Sequence, residues 1–229
     1  MSSHIAVFDI GKTNKKLLIY DENLKLIDTA REQFPEYTEG EIHYEPVEEM
    51  TEWYLLRLRD FSGSYNIRVI TVATQGATAV CVKEDGSPAV PAIAYTTEPG
   101  QAFRDEFVRR FGGTEQIQRT TATAPMSNLL NLAQLVAYLQ KKYPAQFEKT
   151  YKFLGFPQYF GYILTGNAGA EPTYMGCHTL LWEHVHGRWS YIAEELGIID
   201  KLPGGLSRSW DVLGTITPEI ADRTGLAED

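Results

Sequence analysis

Near its start the chain runs Asp9-Ile10-Gly11-Lys12-Thr13-Asn14-Lys15. This short stretch collects the parts of a polyphosphate site. Gly11 lacks the Cβ that would keep backbone N–H groups away from a phosphate. Thr13 and Asn14 add side-chain donors, and Lys12 or Lys15 can add charge. Asp9, ending an apolar run, places a carboxylate where Mg²⁺ or its water shell would sit beside the phosphates. Aligned donors, a divalent ion and terminal phosphate oxygens are what phosphoryl transfer requires. A plain hairpin turn, in which Gly, Asn and Thr are common, is the competing reading. Gly11-Lys12-Thr13 also ends a G-x-x-x-x-G-K-[ST] pattern. However, Ala6 stands where the first glycine belongs, and Lys16-Leu17-Leu18-Ile19-Tyr20 continues as a strand where that motif opens a helix.

For such chemistry the turn must be held rigidly, and the sequence pattern supplies flanking elements. Residues 5–8 form an unbroken apolar run, as expected of a central strand buried on both faces. A second strand follows over 16–20, a turn at Asp21-Glu22-Asn23, and an alternating third strand over 24–29. Residues 46–59 read as a helix. Val47, Met50, Tyr54 and Leu58 recur at helical spacing, and Pro46 with Glu48-Glu49 suits a helix start. Strands are expected over 67–73 and 77–82 and, after a turn at Asp85-Gly86, over 89–95. The second half is mainly helical: 101–111 before Gly112-Gly113, then 128–142, 158–164 and 189–196, with extended pieces at 152–154 and 213–216. The reading is α/β in one unit, with no internal repeat and no linker-like tract.

Composition narrows the partners. The chain has 229 residues, 43% hydrophobic and 22% charged, which excludes wholesale disorder and leaves room for a real core. Its net charge of −9 leaves no basic excess for nucleic acid or an anionic membrane. Cys81 and Cys177 are far apart, and no Asn-x-Ser/Thr sequon occurs, so a reducing, cytoplasmic home is expected. The N-terminus lacks a basic flank, and its apolar run is too short for a signal peptide.

Beyond the opening turn, a series of segments resembles the FGGY family of carbohydrate kinases, specifically their N-terminal lobe, within the actin-like ATPase superfamily. The family's D-x-G-[TK]-[TS]-[NS] is matched by Asp9 to Asn14, and its Glu-Pro helix with Trp by Glu45-Pro46 through Trp53. Its substrate segment resembles Thr74-Gln75-Gly76-Ala77-Thr78, and its helix ending in R-L-T-G resembles the stretch that closes at Ile163-Leu164-Thr165-Gly166. Gly187-Arg188-Trp189, Glu195-Leu196-Gly197-Ile198 and Leu213-Gly214-Thr215-Ile216-Thr217-Pro218 resemble later landmarks in the same order.

The resemblance implies an actin-like (ribonuclease H-like) α/β lobe over 1–229, with a mixed β-sheet flanked by helices. It implies ATP and Mg²⁺, with Asp9 orienting the ion through water and Gly11, Lys12, Thr13, Asn14 and Lys15 holding the terminal phosphates. Gln75, Gly76 and Ala77 would line the pocket of a small-molecule sugar. Gln75 is the best candidate contact, since a strand-end amide can donate to and accept from hydroxyls. Met126-Ser127-Asn128-Leu129-Leu130 and Pro172-Thr173-Tyr174-Met175-Gly176 look closest to L-fuculose and then L-rhamnulose kinases, which implies a neutral ketose phosphorylated on a primary hydroxyl. A pentulose kinase and a catalytically silent sugar-binding lobe are the rival readings.

Departures from the family also count. Ala94-Tyr95-Thr96-Thr97-Glu98-Pro99 lacks the Asp and Arg of a W-x-D-x-R-like element, and Gly76-Ala77 replaces the Arg-Glu of glycerol kinases. The family's catalytic Asp and adenosine-binding lobe are expected beyond Asp229, and a homodimer is expected of the full-length protein.

Other reactive side chains receive plainer readings. His178, His184 and His186 lack the tight ligand spacing of a zinc site and read as a polar loop near the sugar cleft. Cys177 reads as a small packing residue, and Phe153, Phe156, Tyr159, Phe160 and Tyr162 as core aromatics. Glu98, Asp105 and Glu106 read as solvated charges at a helix start.

Overall fold

The computed structural model describes residues 2–228 and opens on an antiparallel meander: β1 (His4–Ile10), β2 (Lys15–Tyr20) and β3 (Leu26–Glu32). A hairpin of β4 (Tyr37–Glu39) and β5 (Ile42–Tyr44) leads into helix α1 (Val47–Ser62) and then β6 (Ile67–Thr74). The sheet order is β3-β2-β1-β6, with β6 parallel to β1, so the sheet is mixed as expected. Because β1 and β6 run the same way, their C-terminal ends lie side by side: Ile10 pairs with Thr74, and the Gln75 amide donates to the Ile10 carbonyl at 2.9 Å.

One face of this sheet carries the first core. Ala6, Phe8, Ile10, Leu17 and Ile19 are buried against Val47, Met50, Tyr54, Leu55 and Leu58 of α1. Phe8 stacks on Tyr54 at 4.2 Å between centroids, and Phe160 meets Tyr54 edge-on at 5.8 Å. Burial in β1 alternates, leaving Ile5 and Val7 half-buried. The expectation of burial on both faces is therefore corrected: an apolar run does not by itself provide the second layer that would cover it.

Next come β7 (Ala79–Val82), α2 (Gln101–Arg110), α3 (Thr114–Thr121), α4 (Leu132–Lys142), α5 (Pro144–Phe147), β8 (Lys152–Gly155) and α6 (Phe156–Thr165). Then α7 (Pro172–Met175), β9 (Trp182–Glu183), β10 (Arg188–Trp189), α8 (Tyr191–Glu195), a 3₁₀ turn (Ile199–Lys201) and α9 (Pro218–Thr224) complete the described chain. The β7–β8 ladder separates two cores. Val80 and Val82 join the sheet's cluster, while Ala79 and Cys81 join a second one built on α4, with Leu132, Leu135, Val136 and Leu139. No described helix is long and apolar enough to cross a membrane.

The aromatic segment is core, as its spacing indicates: Phe153, Phe156, Tyr159 and Phe160 are buried. The expected strand over 89–95 is not formed. Pro91, without an N–H, interrupts any ladder, and only a single bridge, Tyr44 to Ile93, joins this segment to β5. The helix expected from 128 begins at Leu132 because Asn128 adopts φ +53°. The helix expected from 189 begins at Tyr191, capped by Ser190, because Arg188 and Trp189 pair with β9. The strand expected from 77 begins at Ala79, since Ala77 adopts φ +68°. Residues 213–216 pair with no described strand. The β4–β5 hairpin and the short helices α3, α5, α7 and α9 carry too few apolar positions to announce themselves.

Phe160→Ala is expected to destabilise the fold by about 3–5 kcal/mol in urea denaturation, by opening a cavity among four aromatic neighbours. Val212→Ala, at an exposed position, should stay within about 0.5 kcal/mol. Equal losses at both sites would overturn this placement of the core.

Candidate active site

The opening motif forms a tight connection between β1 and β2, and no helix begins at Lys12. Gly11 donates its amide to the Asn14 carbonyl at 3.0 Å, which closes the turn from within. Lys12, Thr13 and Asn14 stand at its tip with partial or full exposure. Asp9 sits one strand position below Ile10, held from both sides. Its carboxylate accepts from Lys16 Nζ at 3.0 Å across the ladder, and its carbonyl accepts from the Tyr54 hydroxyl at 3.3 Å. The Asp9 side chain is 36% exposed, so its carboxylate beside the turn suits a hard, oxygen-seeking cation such as Mg²⁺ held through water.

The lysines divide the work. Lys15 is entirely buried, and its ammonium donates to the Lys12 carbonyl at 3.0 Å. Burial pushes its pKa down from the usual lysine value, Glu45 opposes that shift, and Lys12 adds to it. Lys15 thus braces the turn from beneath and does not face outward. Lys12 reaches away from the tip to contact the Glu36 carboxylate and to donate to Glu45 Oε1 at 2.8 Å, with its ammonium 5.1 Å from the centre of the Tyr95 ring. Asn14 turns its side-chain oxygen to Arg31 and Gln33, so that oxygen ties the turn to β3 and the residue just beyond it.

Glu45 connects this turn to the second predicted segment. Its Oε1 accepts from both Lys12 and the Gln75 side-chain amide, the latter at 2.9 Å. Its Oε2 is buried without a hydrogen-bond partner, 4.0 Å from Lys15 Nζ. Gln75 Oε1 is likewise buried and unpartnered. These two acceptors, close together, are free to take a hydrogen bond from a donor outside the chain.

Gly76 allows a close approach by His178. A Cβ there would lie 2.7 Å from Cε1 of His178, whose half-buried ring packs over the strand end. Burial lowers the His178 pKa, which favours the neutral ring. The loop carrying it is fixed by Asn131, buried at the start of α4, which donates to the His178 carbonyl at 2.7 Å and accepts from the Met126 amide at 2.7 Å. Ala77 is buried, so of the predicted sugar segment Gln75 and Gly76 are the members that border open space. Just beyond, the Tyr174 hydroxyl clamps Thr78 by accepting from its amide at 3.0 Å and donating to its carbonyl at 2.5 Å.

The structure therefore gathers Asp9, Gly11, Lys12, Thr13, Asn14, Gln75 and Gly76 at one end of the sheet. It adds Glu36, Glu45 and Tyr95, to which the sequence reading gave no role, and His178, from the loop read as lying near the sugar cleft. Glu45 had a visible signal, since it opens the Glu-Pro helix segment, and His178 had its place in a polar loop; Glu36 had none. Cys177 is exposed, with its sulfur 3.2 Å from His178 Nδ1, so its reading as a packing residue is corrected: it lies on a surface loop. His184 bonds the Gly176 carbonyl, and His186 shares Glu183 with Arg188 on the β9–β10 hairpin. Glu98 pairs with Arg104, Asp105 accepts from Gln101, and Glu106 pairs with Lys141, all on the surface around α2. A recess of about 640 Å³ lined by Lys83, Asp85, Lys149 and Lys201, among others, shares no residue with the site.

Comparison with known proteins bears on the family and the fold. The chain is similar to a carbohydrate kinase structure from Novosphingobium aromaticivorans, with TM-score 0.87 and 25% identity over 98% of this chain and 46% of that one. It is also similar to a ligand-bound xylulose kinase from Lactobacillus acidophilus, with TM-score 0.87 and 19% identity over 99% of this chain and 46% of that one. For glycerol kinase from Plasmodium falciparum with ADP the TM-score is 0.81, at 19% identity over 98% of this chain and 47% of that one. The chain thus spans less than half the length of these proteins, whose fold is that of the actin-like ATPases. No curated protein sequence matches it. Over residues 4–229 it matches the N-terminal domain of the FGGY family of carbohydrate kinases, and to that family the chain belongs.

Proposed function

We propose that this chain is the sugar-binding lobe of an ATP-dependent kinase that phosphorylates a neutral ketose on a primary hydroxyl. A 6-deoxyketohexose such as L-fuculose or L-rhamnulose is the substrate its local segments resemble most. The observation that carries the reading is the meeting of the turn at residues 11–14 with Gln75 through Glu45, two half-sites joined by one carboxylate. When bound, MgATP supplies the phosphoryl group and the divalent charge that neutralises its oxygens. Asp9 orients the ion's water shell, and the tip of the turn holds the terminal phosphates. Gln75 fixes a sugar hydroxyl: its Oε1 accepts, while Glu45 holds its amide nitrogen and so sets which way the amide points. His178, over Gly76, closes the side of the sugar pocket. The catalytic base and the adenosine site belong, on this reading, to the family's second lobe. We assign the reaction to the reducing cytoplasm, in keeping with the free thiols of Cys81 and Cys177.

The deciding experiment assays the intact gene product with MgATP against L-fuculose, L-rhamnulose, L-ribulose and D-xylulose, with glycerol and gluconate as counter-substrates. Turnover of a 6-deoxyketohexose above the pentuloses supports the proposal, and the reverse order makes the protein a pentulose kinase. Binding of a ketose without any turnover identifies a silent sugar-binding lobe.

Asp9→Asn should lower kcat on the order of 10²-fold while sugar binding is retained, because it removes charge beside the phosphates only. Undiminished kcat would remove the role given to Asp9. Gln75→Ala should raise the sugar KM about tenfold, roughly the worth of one buried hydrogen bond, and leave the ATP KM nearly unchanged. A change confined to the ATP KM would place Gln75 on the wrong side of the site.

A further inference from the structure

Lys12 is a partly exposed charged member of the site. Its ammonium sits at the end of a flexible stem, between the Glu36 carboxylate and Glu45 Oε1, and its side chain is 31% exposed. Both carboxylates are more enclosed than the lysine they hold: the Glu36 side chain is 17% exposed and that of Glu45 is 0% exposed. Glu36 has two further donors, His43 Nδ1 at 3.2 Å and the Thr96 hydroxyl at 3.0 Å. Glu45 keeps only the Gln75 amide on Oε1, and its Oε2 already lacks a hydrogen-bond donor.

A polyphosphate in the turn competes for the same ammonium. If Lys12 turns to phosphate, Glu45 becomes a buried carboxylate with one hydrogen-bond donor, Gln75, and with the Lys15 ammonium 4.0 Å from its other oxygen, a state that is unfavourable in a dry site unless a further donor arrives. Hydroxyl groups lying against Gln75 would relieve it, donating to Glu45 and to the unpartnered Gln75 Oε1. Conversely, hydroxyl donors on Glu45 free Lys12 for phosphate. A sugar carboxylate brings no proton and adds a negative charge beside two others.

We propose that Glu45 and Glu36 are positioning residues which, through Lys12, make phosphate and sugar binding reinforce each other and select an uncharged polyol over a sugar acid. This rests on the kinase reading for the identity of the two ligands and goes beyond it in naming how one prepares the site for the other.

The test is calorimetric titration of the intact gene product with L-rhamnulose, L-fuculose, D-xylulose and gluconate, with and without saturating MgAMPPNP. The best neutral sugar should bind about tenfold tighter with the nucleotide present, and the nucleotide should gain by the same factor from the sugar, as linkage requires. In Lys12→Met that factor should fall to about one while the sugar still binds. Glu45→Gln should also lose the coupling. Should that buried variant fail to fold, Lys12→Met still decides the matter, because its side chain is partly exposed. Gluconate should bind at least about tenfold more weakly than the neutral sugar, and Glu36→Gln should narrow the gap. Coupling that survives in Lys12→Met, or gluconate bound as tightly as the ketose, overturns the proposal. Wild-type protein that binds sugar and nucleotide without coupling overturns it too and leaves the kinase reading standing. Wild-type protein that binds neither, or only one, ends both.

Discussion

A carboxylate sealed from water must be met by donors, and at Glu45 that requirement organises the end of the sheet. Lys12 and Gln75 both donate to one of its oxygens, and Lys15 stands behind the other. The two lysines of the turn, Glu45 and Gln75 are about 30 positions apart from one group to the next, so the carboxylate gives the turn, the helix entry and the end of β6 one shared geometry. Buried ion pairs of this kind add little net stability, because desolvation offsets their attraction. Their effect is to restrict the arrangements in which every charge has a partner. Lys15 illustrates the balance: burial disfavours its charge, Glu45 restores part of it, and its ammonium ends up holding the turn's own carbonyl.

The backbone makes that meeting unavoidable. Antiparallel pairing sends β2 back from the turn, β3 returns to the same end, and α1 carries the chain down so that β6 can run parallel to β1. Three connections therefore collect at one edge: residues 11–14, the stretch from β3 to α1, and the residues after β6. Ligands of open α/β sheets bind at the carboxyl ends of strands because these connections converge there. Phe8, Tyr54 and Phe160 hold α1 and α6 against the sheet beneath that edge, and the Tyr54 hydroxyl reaches the Asp9 carbonyl. The core and the site thus share a residue.

The second helical half contributes through two fixed loops. Asn131, fully buried, spends its amide on the Met126 amide and the His178 carbonyl, which brings His178 over Gly76. Tyr174 closes on Thr78 from α7. Polar anchors of this sort are more restrictive than apolar contacts, since each demands a particular distance and direction.

Local chemistry was enough to read the opening strands, the turn, α1 and β6 from the sequence, because periodicity, glycine and capping residues act over only a few positions. The same holds for the rejection of a helix-opening phosphate loop, which needed only the strand pattern after Thr13. Pro91 and the positive φ of Asn128 and Ala77 changed element boundaries where local propensity met a tertiary demand. What the sequence could not decide was orientation. Lys12 and Lys15 are alike as residues, yet one lies partly open between two carboxylates and the other is sealed under the turn. Glu36 and His178 join the site from loops 24 or more positions from the motif residues they approach, Lys12 and Gly76. Which charge is buried, and which acceptor is left waiting for a donor, is set by contacts across such separations, and these exist only once the chain has folded.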